Sequence, residues 1–188
     1  MNNLSDVVKK LLIINGIMFL GAEVLPQYRG LLAMWHPQSD NFQPFQIVSH
    51  MFMHGNLSHL MFNMLSLFFL GPYVERALGA KRFVILYFVA GFAAMAAHFL
   101  LVANPVVGAS GAIYGVVFAF IIMFPDVKLM LLIPPIPIKA KFLAIGLVAY
   151  DLIMGLQGTS GTAHFAHLGG ALAGVILILV WRKSNFRV

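Results

Sequence analysis

Six runs of apolar residues constrain the fold of this chain more than any other feature of its sequence. They cover approximately residues 11–25, 57–70, 83–103, 107–124, 142–156 and 163–181. Of the 188 residues, 10% are charged, whereas a soluble domain carries about 25%. A transmembrane helix needs about 20 mostly apolar residues. We therefore predict an all-α, polytopic membrane protein with six transmembrane helices, forming a single domain over residues 1–188.

The distribution of basic residues predicts the orientation of these spans. Eleven of the twelve Lys and Arg residues fall on one side, and Arg29 falls on the other. The eleven are Lys9, Lys10, Arg76, Lys81, Arg82, Lys128, Lys139, Lys141, Arg182, Lys183 and Arg187. The positive-inside rule assigns the basic side to the cytoplasm, so both termini are predicted to be cytoplasmic. The net charge of +6 therefore indicates topology and not a nucleic-acid-binding surface.

Two further features concern the start of the chain. No small-residue cleavage pattern follows the first run, so we expect that run to be retained as a helix.

Residues 26–56 then form the one long connection on the outer side. Trp35, Phe42 and Phe45 make it too apolar for a solvated loop, which favours a cap at the membrane interface. A purely structural role for this cap stays open.

Four polar side chains occur near the outer ends of three spans that run in the same direction. His59 and Asn63 belong to the second span, Ser110 to the fourth and His167 to the sixth. At about 1.5 Å of rise per residue, all four are predicted to lie at a similar depth. Strongly polar groups within a span are costly and indicate function. A hydroxyl beside an imidazole is the usual combination of a nucleophile with its general base.

The residues around Ser110 and His167 favour a close approach of their two helices. Gly111 and Gly115 form a small-residue face on the fourth span, and Gly170 and Gly174 form one on the sixth. Such faces let helix backbones come together in lipid. We therefore predict a direct hydrogen bond between Ser110 and His167.

Two other groups could stabilise negative charge that develops beside this hydroxyl. His59 and Asn63 are four residues apart and share one helix face, so both can donate to an oxyanion. The backbone N–H groups at the start of the fourth span add further donors. Gly108 permits an irregular backbone just before that helix.

Three separated motifs resemble those of the rhomboid family of intramembrane serine proteases. They are GASG (108–111) with Tyr114, HLMFN (59–63) and AHLGGALAG (166–174); the segment GPYVERALG (71–79) is also similar to the family. The likeness extends over all six spans.

This resemblance implies a function and a set of roles. Ser110 would be the nucleophile and His167 the general base, with His59 and Asn63 in the oxyanion hole. Tyr114 would pack against the imidazole, and Tyr114 and Gly108 would contribute to substrate binding. The resemblance also implies cleavage of transmembrane segments of other proteins in the cell membrane, from a site facing the outer side. It implies no metal ion and no cofactor.

Several polar residues fit this interpretation less directly. His164 lies one turn before His167, but only His167 is followed by glycines in the family pattern, at Gly170 and Gly174. Asp151 could be a third catalytic residue; the resemblance implies a Ser-His dyad, so we expect Asp151 to satisfy backbone or hydroxyl groups. His98 is interpreted as structural.

The first outer loop raises two separate questions. His50, His54 and His59 could suggest a metal site, but no carboxylate or cysteine accompanies them, so zinc catalysis is not predicted. Phe45-Gln46 stands where the family often has Trp-Arg, which leaves the anchoring of this loop open.

Two alternative functions are weighed against proteolysis. A catalytically silent rhomboid-like protein would bind transmembrane segments without cleaving them, and such relatives typically lack the serine or the histidine. A transporter using the histidines as a proton or metal path would be expected to contain intramembrane carboxylates or inverted repeats. The sequence leaves the substrate and the oligomeric state open.

Overall fold

Each of the six predicted spans corresponds to one helix in the computed structural model, which describes residues 4–130, 135–158 and 162–184. Residues 159–161 of the last outer connection and the basic Arg187 lie outside the described residues. The helices are α1 (Asp6–Val24), α2 (Arg29–Leu32), α3 (Gln46–Ser49), α4 (Leu57–Leu78), α5 (Ala80–Leu101), α6 (Ser110–Met123), α7 (Ala140–Gln157) and α8 (His164–Lys183). Two short 3-10 turns occur at Pro26–Tyr28 and His50–Phe52.

The lengths and apolar character of these helices confirm a polytopic, mainly α-helical membrane protein. In the described part of the chain, α4, α5, α7 and α8 are long and apolar enough to cross a membrane, and α6 is a shorter apolar helix. Helix α1 has 19 residues and includes Lys9, Lys10 and Glu23. The crossing of all six helices and the cytoplasmic location of the termini stay predictions.

Helix α4 is longer than predicted, because it continues from residue 70 to Leu78. Pro72 lies inside the helix and does not end it. The carboxylate of Glu75 is buried, yet it accepts hydrogen bonds from the backbone N–H groups of Val7 (3.1 Å) and Val8 (2.9 Å). These are free N–H groups in the first turn of α1, where a carboxylate also complements the helix dipole. The helix ends at Gly79, whose φ of +78° favours glycine.

A short antiparallel pair of strands between α6 and α7, which we call the hairpin, was not predicted. Strands β1 (Lys128–Met130) and β2 (Pro137–Lys139) are antiparallel, with Leu129 opposite Ile138. Asp126 precedes the hairpin and contacts Lys139 Nζ at 3.3 Å and Lys141 Nζ at 2.7 Å. Hydrogen bonds from Lys141 and Lys139 lower the pKa of the Asp126 carboxyl. The all-α prediction is therefore correct for the membrane helices and incomplete for this connection.

Helix α6 occupies the centre of the bundle, where eleven of its fourteen residues are buried. Its glycines confirm the predicted close contact with α8. A Cβ at Gly170 would overlap the carbonyl oxygen of Gly111, and a Cβ at Gly174 would overlap that of Gly115. A Cβ at Gly115 would likewise overlap the methyl group of Ala90 in α5. The contacts of α6 with α5 and α8 therefore leave no room for an added carbon at these glycines.

Candidate active site

A cavity of about 800 Å³ lies between α4, α6, α7 and α8. Its lining includes Ser110, His59, Asn63, His167 and Tyr114. These residues come from three helices and converge on one cavity. Phe62 and Leu143 add apolar surface to the same lining.

The backbone before Ser110 has an irregular conformation that glycine permits. Gly108 has a φ of +129°, and a Cβ built on it would lie 2.8 Å from both Cε1 and Nε2 of His59. The imidazole of His59 thus occupies the space beside Gly108, two residues from the serine. Gly108 also donates its N–H to the carbonyl of His50 at 2.9 Å. Ser110 is the first residue of α6.

The first outer loop is attached to this segment through a backbone pair. Met34 N donates to Val106 O at 3.0 Å, and Val106 N donates to Met34 O at 2.9 Å. The loop itself is organised by Gln46, which is fully buried. Its Nε2 donates to the carbonyls of Leu31 (3.0 Å) and Asn41 (2.9 Å).

The other end of the same amide completes the loop's anchoring. Gln46 Oε1 accepts hydrogen bonds from the backbone N–H groups of Gln43 at 3.1 Å and Trp35 at 3.4 Å. All four hydrogen bonds of the Gln46 amide are to residues of the loop. The loop is therefore anchored by a neutral side chain at the place where the family often has Trp-Arg.

The imidazole of His167 stacks on the ring of Tyr114. The ring centroids are 4.2 Å apart and the planes differ by 11°. Tyr114 lies one turn after Ser110 on α6, and the glycine contact described above brings α8 close enough for this stacking. The predicted Ser110–His167 hydrogen bond is not formed among the described residues. Such bonds are often long without substrate and shorten in the reacting complex.

His167 Nδ1 instead lies 3.0 Å from Oδ1 of Asp151 in α7. His164 Nδ1 lies 2.6 Å from the same oxygen. Asp151 was expected to satisfy backbone or hydroxyl groups; its carboxylate interacts with the Tyr114 hydroxyl, but its two closest partners are these imidazoles, which the expectation did not include. His164 is buried, because both histidines turn toward α7.

Asn63 and His54 are buried beside the cavity with unused polar atoms. Asn63 Nδ2 has no hydrogen-bond partner among the described residues, which makes it an available donor. The ring of His54 meets that of His59 edge-on, with centroids 5.0 Å apart. Burial and the neighbouring His59 lower the pKa of His54 to about 4, so His54 is neutral near pH 7. His98 Nε2 lies 2.8 Å from the carbonyl of Asn104, and His98 also lines the cavity.

The described residues place one group of potential metal ligands together, at Asp151, His164 and His167. Their ligand atoms lie within 4.8 Å of one another. The histidines considered in the sequence, His50, His54 and His59, do not form such a group. Hydrogen bonds between the carboxylate and the two imidazoles account for the observed cluster.

Comparison with known proteins identifies the family. The profile of the Rhomboid domain matches residues 41–184, which is about three quarters of the chain. This chain belongs to the rhomboid family. The matched region of this rhomboid includes every residue named above in the lining of the cavity, and also Asp151.

Individual relatives of this rhomboid come from bacteria, fungi and plants. It is 31% identical over 137 residues to Rhomboid protein 1, mitochondrial, of Saccharomyces cerevisiae, covering 69% of this chain and 40% of the relative. It is 32% identical over 134 residues to RHOMBOID-like protein 4 of Arabidopsis thaliana, covering 71% and 33%. It is 31% identical over 154 residues to Rhomboid protease AarA of Providencia stuartii, covering 70% and 53%. The matched part thus spans a third to a half of these relatives.

The contact between His167 and Asp151 of α7 was not predicted from the sequence. His164 and His167 are three residues apart, which places both on one helix face. An aspartate in the preceding apolar helix is a second signal, since such a charge needs a partner. Together these two signals could have indicated the contact, but neither specifies which imidazole reaches the carboxylate.

Proposed function

We propose that this rhomboid is an intramembrane serine endopeptidase that cleaves transmembrane segments of other membrane proteins. The observation that carries the proposal is the convergence of Ser110, His167, His59 and Asn63 on one cavity inside an apolar bundle. A nucleophile, a base and two donors are the groups that acyl transfer needs.

In the first step, Ser110 Oγ attacks the scissile carbonyl carbon while its proton passes to His167 Nε2. The carbonyl π electrons move to oxygen, which becomes an oxyanion. When the tetrahedral intermediate collapses, the C–N bond breaks and the leaving amine takes the proton from His167. The N-terminal part of the substrate is then held as an ester on Ser110.

The oxyanion is stabilised by donors already positioned beside the serine. Asn63 Nδ2 has no other partner in the described part of the chain. The His59 ring lies against Gly108, and Ser110 is the first residue of α6, where backbone N–H groups have no partner within the helix. Preorganised donors of this kind stabilise the transition state because they need no reorientation during the reaction.

In the second step, a water molecule attacks the ester, and His167 takes its proton. The bond between Ser110 Oγ and the acyl carbon breaks, and the serine regains its proton from His167. The cavity contains polar groups that can hold this water in an otherwise apolar bundle.

The proposed orientation follows from the charge distribution. The positive-inside rule favours a cavity that faces the outer side, and we propose the cell membrane as the location, with transmembrane proteins of the same bilayer as substrates. The relative from P. stuartii is named a rhomboid protease, which supports proteolysis as the activity.

Replacement of the nucleophile tests this proposal. Ser110→Ala, purified as the full chain and reconstituted with a membrane-tethered reporter, is expected to show no cleavage. A fluorophosphonate probe is expected to label the wild type at Ser110 and not the variant. Ser184→Ala is the matched control, because that hydroxyl bonds the carbonyl of Trp181 at the far end of α8, and it should cleave normally. Full cleavage by Ser110→Ala would refute the proposal.

A second variant tests the oxyanion donor. Asn63→Ala removes the amide and should lower kcat by about 10²–10³-fold, the usual loss for one such donor. The rate of probe labelling at Ser110 should fall with it. An unchanged kcat would remove Asn63 from this role.

The alternative of a catalytically silent protein gives a different pattern in the same experiments. Wild type and Ser110→Ala would then both leave the reporter intact while still binding it. Absence of probe labelling in a folded wild type would favour that alternative.

A further inference from the structure

We propose that Asp151 is a positioning residue for His167, so that the site functions as a Ser-His-Asp triad. This inference rests on the proposed function and deepens it. Asp151 lies on α7, a helix that contributes none of the residues assigned above to catalysis.

The contact between Asp151 and His167 has the geometry of a hydrogen bond, with Nδ1 and Oδ1 3.0 Å apart. An ionised carboxylate can only accept, so the Nδ1 of His167 must carry the hydrogen. A neutral imidazole has one N–H and one lone pair, and the lone pair is then on Nε2. Nε2 is therefore the atom able to accept the proton of Ser110.

Tyr114 also holds the imidazole in this orientation. Tyr114 stacks on one face of the His167 ring at 4.2 Å, which restricts its tilt. The Tyr114 hydroxyl also interacts with the carboxylate of Asp151. With the ring plane set by Tyr114 and its Nδ1 directed to Asp151, rotation of the imidazole away from the cavity would break both contacts.

The carboxylate is itself fixed by a second imidazole. His164 Nδ1 approaches Asp151 Oδ1 at 2.6 Å, and Asp151 is completely buried. Asp151 does not line the cavity, whereas both histidines do. It therefore acts on the reaction through His167 and makes no contact with substrate.

A buried carboxylate needs hydrogen-bond partners to be stable, so Asp151 and the two imidazoles could contact each other for stability alone. A positioning role differs from this structural role because removal of the Asp151 charge should then change the tautomer of His167. Asn at position 151 can donate through its amide N–H₂ to Nδ1, which would move the hydrogen of His167 to Nε2. That tautomer cannot accept the proton of Ser110.

The kinetic test compares variants of the full chain reconstituted with the reporter. Asp151→Asn is expected to lower kcat on the order of 10²–10⁴-fold with KM changed less than about 2-fold. Asp151→Glu keeps the carboxylate and should recover part of the rate. Asp126→Asn is the matched control; it removes an exposed carboxylate paired with lysines and should leave kcat unchanged. A kcat for Asp151→Asn within a factor of two of wild type would overturn the proposal.

A spectroscopic test does not depend on activity. In Ser110→Ala protein with ¹⁵N-labelled histidine, His167 should show a protonated Nδ1 and an unprotonated Nε2. Adding Asp151→Asn should reverse this tautomer, whereas adding His164→Ala should not. If His167 carries its hydrogen on Nε2 with Asp151 intact, the proposal is overturned, whether or not Asp151→Asn folds.

The two tests separate this inference from the proposed function. Cleavage by Ser110→Ala would refute serine proteolysis and leave the tautomer measurement valid. A normal tautomer and normal kcat in Asp151→Asn, with Ser110→Ala inactive, would refute only the triad.

Discussion

Replacing Gly170 by alanine should disrupt the contact between α6 and α8 on which the site depends. The added Cβ would overlap the carbonyl oxygen of Gly111 and lie 2.8 Å from its carbonyl carbon. Ordinary contact begins at 3.4 Å, so the two backbones must separate by at least about 0.6 Å at this carbon and more at the oxygen. Backbone atoms cannot move aside as a flexible side chain can.

This separation should affect both stability and catalysis. Overpacking of this kind costs about 1–3 kcal/mol, so the free energy of unfolding should fall by that amount. The same shift would move His167, which lies one turn before Gly170, away from Ser110. A displacement near 1 Å can lower a rate by about 10²-fold, so kcat should fall more than stability alone explains.

Gly146→Ala provides a matched control on α7. A Cβ at Gly146 meets nothing within 4 Å, and alanine is favoured over glycine in a helix by about 0.8–1 kcal/mol. This variant should be at least as stable as the wild type and equally active. Unfolding by denaturant in mixed micelles and reporter cleavage in vesicles measure the two effects. The reasoning would be refuted if Gly170→Ala matched the wild type in both, or if Gly146→Ala showed the same loss.

Three further predictions concern buried polar groups. Glu75→Ala removes the acceptor for two N–H groups of α1. Because a hydrogen bond to a charged group contributes about 1.5–3 kcal/mol, the free energy of unfolding should fall by several kcal/mol. An unchanged denaturation midpoint would contradict this. Gln46→Leu leaves the carbonyl and N–H partners of the Gln46 amide unpaired, so added trypsin or chymotrypsin should cut the outer loop faster than in the wild type. If the variant resisted proteolysis as well as the wild type does, Gln46 would not anchor the loop. His54 has its pKa lowered from 6.5 to about 4, so the unfolded chain binds the extra proton between these values. The free energy of unfolding should therefore fall by up to about 3 kcal/mol as the pH drops from 6.5 to 4, and His54→Phe should weaken that dependence; identical pH profiles would exclude this contribution.

Much of this protein could be predicted from local sequence patterns. Apolar run length depends only on the order of residues, so all six helices were located within a few residues, apart from the end of α4. Helix α4 was predicted too short because Pro72 and Glu75 are individually unfavourable in an apolar helix. The partner that accommodates Glu75 is the start of α1, almost 70 positions away in the chain, and no local pattern contains it.

The sequence by itself determined the six helices and their small-residue faces. The length of an apolar run and the spacing of glycines can each be read from a single segment. Only the tertiary structure decided which side chains meet across helices: Asp151 with two imidazoles, and His59 with Gly108. Such contacts depend on the rotation of each helix about its axis and on the distance between axes. A shift of one angstrom or a rotation of a few tens of degrees makes or breaks a hydrogen bond. The apolar pattern that places a helix in the bilayer is compatible with shifts and rotations of this size, so it does not specify these contacts.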